Sequence, residues 1–126
     1  ITFKGNCKIT GTGDNTLSFY GTSITIAAGA HLTIDKGMTL KLEDSSPTIT
    51  FGSSSATLEL FGATLDVSAL GSAPTFTTGT LLIDDKVTLA GSMTLGGSGA
   101  SDLDIILQPA ASLEVSSGTI TYANDS

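Results

Sequence analysis

Arginine and tryptophan are both missing from this 126-residue chain, and five lysines stand against twelve acids. The resulting formal charge of −7 repels phosphate backbones and anionic surfaces, which argues against nucleic acid as a partner. Cys7 is the single cysteine, so no internal disulfide can form and no second thiol can complete a thiolate metal site. No apolar run reaches the ~18 to 20 residues that cross a bilayer, and no basic-then-apolar signal segment opens the chain, so no membrane span is expected. Ile1 in place of a starting Met suggests a processed or excised segment. Charged residues make up only 13% of the chain, too few for long helices with Glu, Lys and Arg at 3.6 spacing.

What the chain does have is glycine, fifteen of them, with abundant Thr and Ser and only three prolines. That composition suits many short strands joined by tight turns, and the expected class is all-β. The length fits one domain, residues 1–126, with a continuous core.

Pairs of apolar residues separated by one residue recur along the chain, the period-2 mark of a strand with one buried face. They fall into three series. Series A is Ile1/Phe3, Ile24/Ile26, Ile49/Phe51, Phe76 with Thr78, and Ile105/Leu107, starting 23, 25, 27 and 29 residues apart. Series B is Ile9 with Gly11, Leu32/Ile34, Leu58/Leu60, Leu81/Ile83 and Leu113/Val115. Series C is Leu17/Phe19, Leu40/Leu42, Leu65/Val67, Leu89 with Gly91, and Ile120/Tyr122. The segment Ile24 to Ile34 also aligns without a gap with Ile105 to Val115. Three strands recurring every 23 to 25 residues or so, each too short to stand alone, become stable when coils stack over a shared apolar column. The expected fold is a single-stranded parallel β-helix, a β-solenoid of about five three-strand coils.

The turn after B reads as brief, as in Asp35-Lys36-Gly37, Phe61-Gly62-Ala63 and Ser116-Ser117-Gly118, where glycine can take the positive φ of a sharp corner. The connection after C reads as lengthening along the chain, through residues 20–23, 43–48, 68–75 and 92–104.

On the run from Ile24-Thr25-Ile26 through Ile34-Asp35-Lys36-Gly37, the chain resembles bacterial autotransporter passengers and large-exoprotein adhesins. The likeness is one of repeat style, without a diagnostic motif, and covers nearly the whole chain. It implies a right-handed β-helix, secreted or at the cell surface, with adhesive or scaffolding roles. Full-length members of such families add a signal peptide, a capping region and a membrane-anchoring barrel, so the resemblance extends to their solenoid part alone and implies a fragment or a polymer subunit.

In this reading the chain enters at A and leaves after C, a whole number of coils, with no cap visible at either end. Ile1 and Phe3 at one end and Ile120 and Tyr122 at the other are then the stacking ends. They would meet either flanking coils of the same polypeptide or separate copies stacked head to tail into a filament.

Several residues invite a functional reading beside a structural one. Ser23/Thr25, Thr48/Thr50 and Thr75/Thr77 would project outward from A as a regular hydroxyl and methyl ladder, an ice- or carbohydrate-binding face in the functional reading and ordinary exposed strand residues in the structural one. Asp104 and Ile106 interrupt that ladder in the last coil. Leu82 and Ile106 should point outward, which suggests a lateral contact, a change of register, or cover from Met93 and Leu95 in the last long connection. Paired acids at Glu43-Asp44, Asp84-Asp85 and Asp102/Asp104 suit Ca²⁺ or acid and base roles, or simply solvated turns. A calcium-dependent polysaccharide-active enzyme is the reading they keep open, although arginine is absent and the lysines are scattered. His31, the only histidine, has no nucleophile with an evident oriented partner, and Cys7 beside Lys4 and Lys8 reads as a lightly buried thiol. No catalytic residue, metal or cofactor is expected. The functional expectation is an extracellular structural or adhesive solenoid that associates with itself or binds a host-surface or glycan ligand.

Overall fold

In a computed structural model describing residues 1–44, 48–96 and 102–123, the chain is an all-β parallel solenoid of about five turns. Sixteen strands are present among the described residues. Each apolar pair forms a strand because alternate side chains face the axis, where the stacked coils exclude water.

The strands run A, B, C in rotation. The A side holds β1 (Thr2–Phe3), β4 (Ile24–Ile26), β7 (Ile49–Phe51), β10 (Thr75–Phe76), β13 (Met93–Gly96) and β16 (Ile120–Ala123). The B side holds β2 (Asn6–Ile9), β5 (His31–Ile34), β8 (Thr57–Phe61), β11 (Thr78–Asp84) and β14 (Asp102–Leu107). The C side holds β3 (Asn15–Tyr20), β6 (Met38–Glu43), β9 (Thr64–Asp66), β12 (Lys86–Ala90) and β15 (Ser112–Ser117). B and C are continuous five-stranded parallel sheets, whereas A splits into β1-β4-β7 and β10-β13-β16. Across that split the rings of Phe51 and Phe76 meet edge to face, with centroids 5.9 Å apart.

The core is a run of inward columns. Leu32, Leu58, Leu81 and Ile105 share one level of B, and Leu17, Leu40, Leu65, Leu89 and Val115 share one of C. Twelve large side chains are essentially sealed, among them Ile24, Ile26, Leu32, Ile34, Leu60 and Met93. No polar residue is buried among the described ones.

Four coils match the sequence reading and the last does not. Met93 and Leu95, read as part of a loop, form β13 and are buried in the core, at 0% and 7% exposure. The connection between β12 and β13 is therefore only residues 91–92, and the corner after C does not lengthen steadily. Every later strand shifts by one side: Ile105/Leu107 lie on B above Leu81/Ile83, Leu113/Val115 lie on C above Val87/Leu89, and Ile120/Tyr122 lie on A above Met93/Leu95. Ser116-Ser117-Gly118 accordingly precedes an A strand. The described strands thus make five full rotations plus one further A strand, not a whole number of coils. Two smaller corrections are local: Cys7 and Ile9, not Ile9 and Gly11, are the inward pair under Leu32 and Ile34, and Thr78 belongs to β11.

The slip has a physical source. Residues 24–34 and 105–115 align because both are strand, corner, strand: Ala30 N–H donates to the Ala27 carbonyl at 2.9 Å, and Ala111 N–H to the Gln108 carbonyl at 3.0 Å. Gly29 and its counterpart Ala110 have φ of 73° and 66°. One corner joins A to B and the other B to C, so a repeated corner does not say which side of the solenoid it turns.

Candidate functional site

The outward positions of the A strands carry a Ser/Thr array on each half of that side. Thr2, Thr25 and Thr50 stand in register on its first half, and Thr75, Thr94 and Thr121 on its second. A second column lies two residues earlier, where the Ser23 hydroxyl oxygen accepts from the Thr48 N–H and hydroxyl at 3.2 Å each. The Ser92 hydroxyl repeats this bond by accepting the Thr119 N–H at 3.0 Å. Adjacent coils place neighbours of one column about 4.8 Å apart, and the two columns are separated by about 6.6 Å, twice the rise per strand residue.

Of the residues singled out from sequence, Ser23, Thr25, Thr48, Thr50 and Thr75 lie on this face, while Thr77 sits in the corner between β10 and β11. Thr2, Ser92, Thr94, Thr119 and Thr121 were missed. The signal that finds all but Thr2 is the tripeptide Ser/Thr-x-Thr, present at Ser23-Ile24-Thr25, Thr48-Ile49-Thr50, Ser92-Met93-Thr94 and Thr119-Ile120-Thr121. Asp104 and Ile106 do not interrupt the array, because β14 belongs to B. The C side carries a simpler column, Thr16, Thr39, Thr64 and Thr88, closed by Glu114.

The B side is less uniform. His31 Nε2 and Glu59 Oε1 are 2.8 Å apart, and the Thr33 hydroxyl donates to the same oxygen at 3.1 Å. One coil further on, the column Thr33, Glu59, Leu82, Ile106 turns apolar. β11 and β14 pair without a register shift, so Leu82 and Ile106 point outward as stacked neighbours, and the supposed cover, Met93 and Leu95, is inside. Cys7 faces inward at the first coil, its thiol 3.2 Å from the Lys4 carbonyl.

The acids sit at corners. Lys36 reaches past Gly62 and donates to Asp85 at 2.8 Å; that hydrogen bond is the main influence lowering the Asp85 carboxyl and raising the Lys36 amine. Asp35 is lowered chiefly by the backbone N–H of Lys36 and then by the Thr10 hydroxyl at 3.1 Å. Among the described residues no three His, Cys, Asp or Glu side chains come together as a metal site, and no helix is long and apolar enough to cross a membrane.

The last coil differs from the rest. Leu107, Leu113, Val115 and Tyr122 occupy inward columns, yet they are 51%, 38%, 43% and 76% exposed. The outer edges of β14 and β15 have no strand on them among the described residues. Comparison with protein-family models, curated proteins and solved structures gave no match.

Proposed function

We propose that this chain is a structural or adhesive solenoid of the cell surface or extracellular space, a rigid rod that joins further coils through its last one and displays its outward faces. The observation that carries the reading is the apolar end: side chains of the same type and register that are sealed in the middle coils are open to water at Leu107, Leu113 and Val115. Exposed apolar columns beside unpaired strand edges favour association by strand addition. The adhesin likeness of the repeats agrees with a display role. Sedimentation velocity and negative-stain microscopy over a concentration series test it. Association into rods of coil width is expected, weakened by Leu113→Lys, and a monomer at every concentration overturns the stacking half. Protection of the chain from external protease on intact producing cells overturns the placement.

A second reading rests on the Ser/Thr array of the A side. Rows of hydroxyls and methyls repeating at the strand spacing suit a ligand that repeats itself, such as ice or an ordered polysaccharide. Thermal hysteresis, or retention on insoluble glycans, lost on Thr25→Lys or Thr94→Lys, supports it; neither activity in the parent chain removes it.

A further inference from the structure

The reading of the A side as a ligand-binding face leaves its ligand open between ice and a polysaccharide, and the surroundings of β10 favour one of them. Resting on that reading, we propose that the ligand is a neutral polysaccharide. One sugar unit of it is anchored in the groove where the 67–74 connection lies against Gly91-Ser92 and Ser117-Gly118.

Ice presents an unbroken lattice, and a face that matches it has to keep one register along the solenoid. The A side does not keep one: β7 and β10 are not paired, so Thr50 and Thr75 belong to separate sheets. A cleft of about 140 Å³ opens between them, lined by Thr50, Thr75 and Thr78, with Phe51 and Phe76 at its inner side. A chain of sugar units tolerates such a step, because each unit is recognised by the groups beside it.

The groove has its origin in the corners. An eight-residue connection at 67–74 stands beside two-residue ones at 91–92 and 118–119, and the space at this step is about 300 Å³, the lower end of the range for small-molecule sites. A Cβ on Gly91 would come within 2.6 Å of the Ser68 nitrogen, so the coils meet here backbone on backbone. The hydroxyls around the groove are already oriented. Ser92 Oγ accepts the Thr119 N–H at 3.0 Å and Ser117 Oγ accepts the Gly91 N–H at 3.1 Å, which leaves each O–H to donate to a ligand. Ser68 is the reverse: its N–H and its hydroxyl both donate to Asp66, at 2.9 and 2.6 Å, leaving its oxygen as an acceptor. Leu70 and Ala73 add an apolar patch for the C–H face of a ring.

An anion calls for donors alone and a cation for acceptors alone, whereas a sugar hydroxyl is both, and this mixed set answers it. No charged side chain lines the groove among the described residues. Asp66 behind Ser68 and the net charge of −7 repel uronates and sulfated glycans. Ala73 on the groove and Thr75 on the cleft are two residues apart, at most about 7 Å along the chain, so a glycan seated in the groove runs on across the Thr columns.

Retention of the full chain on insoluble cellulose, chitin and mannan tests this, with alginate as the acidic control and thermal hysteresis measured on the same preparation. Retention on a neutral glycan, little on alginate and no hysteresis are expected. Ser117→Ala removes one oriented donor and should weaken that retention about three- to tenfold. The Gly91 N–H keeps the Ser117 carbonyl at 3.1 Å, so the unfolding midpoint should hardly move. Ser117→Leu, which also fills the groove, should weaken it by more than about tenfold. Retention unchanged by both variants overturns the groove, and the Ser/Thr face then stands or falls with Thr25→Lys. Equal retention on alginate overturns the neutral class, hysteresis without glycan retention overturns the polysaccharide in favour of ice, and neither activity overturns this proposal together with the reading it rests on.

Discussion

Residues 24–34 and 105–115 are the same local structure in two settings. Both run strand, corner, strand, with an i to i+3 hydrogen bond at the turn and a left-handed residue at the same place. Yet Ile34 is 0% exposed while its counterpart Val115 is 43% exposed. What differs is the neighbour: β5 is sandwiched between β2 and β8, whereas among the described residues β15 pairs only with β12. In a solenoid the local sequence specifies the corner and the alternation, and the stacked coil supplies the burial.

Truncation breaks that equivalence most strongly. Ile34→Ala should cost about 2–5 kcal/mol in denaturant unfolding, the range for a sealed large side chain that leaves a cavity. Val115→Ala should cost no more than about 0.5 kcal/mol in the monomer, as for an exposed position. A comparable loss at both sites would mean that the last coil is covered in solution, and running the unfolding at two protein concentrations would reveal it.

The corner itself offers a smaller and sharper test. A Cβ built on Gly29 meets nothing within 4 Å, so the cost of Gly29→Ala is conformational, about 1–2 kcal/mol for an L-residue held left-handed. Ala110 already carries that cost at φ 66°. Ala110→Gly should therefore raise the melting temperature by about as much as Gly29→Ala lowers it, the greater unfolded-chain freedom of glycine reducing both shifts alike. Two substitutions of equal sign would show that the corners are not equivalent.

The same comparison explains what was legible in the sequence. Alternation at Ile24/Ile26, Leu32/Ile34 and Leu40/Leu42 gave the strands and their sides for coils whose corners differ little in length. Met93-Thr94-Leu95 escaped because a two-residue connection at Gly91-Ser92 follows an eight-residue one at 67–74, so a short corner after a long one was read as a longer loop. Losing one strand moved every later strand to the wrong side. On the A side, Thr25, Thr50 and Thr75 were found through series A, while Thr94 and Thr121 were lost with the side assignment. Side identity is a property of the stacked register, and neither the alternation nor the corner carries it.

The smallest expected effect lies in the cross-coil bridge that spans a middle corner. Lys36 on the second rotation donates to Asp85 on the fourth, passing Gly62 on the third. Because that bond lowers the Asp85 carboxyl from the ordinary 3.8, the unfolded chain takes up the proton first as pH falls, and the stabilisation present above that value is lost through the lower, folded one. Lys36 is raised from 10.5 by the same bond, so its share is complete below that value and lost as pH rises through the higher, folded one. Asp85→Asn keeps a residue type that tolerates φ 58° while removing the charge. The melting-temperature difference between it and the parent should be small, as for an exposed pair, flat across the neutral range, and should close below pH 3.8 as the parent's carboxylate protonates. A difference that persists unchanged into strong acid would assign the effect to the backbone of the corner, leaving the ion pair without a role in holding the coils together.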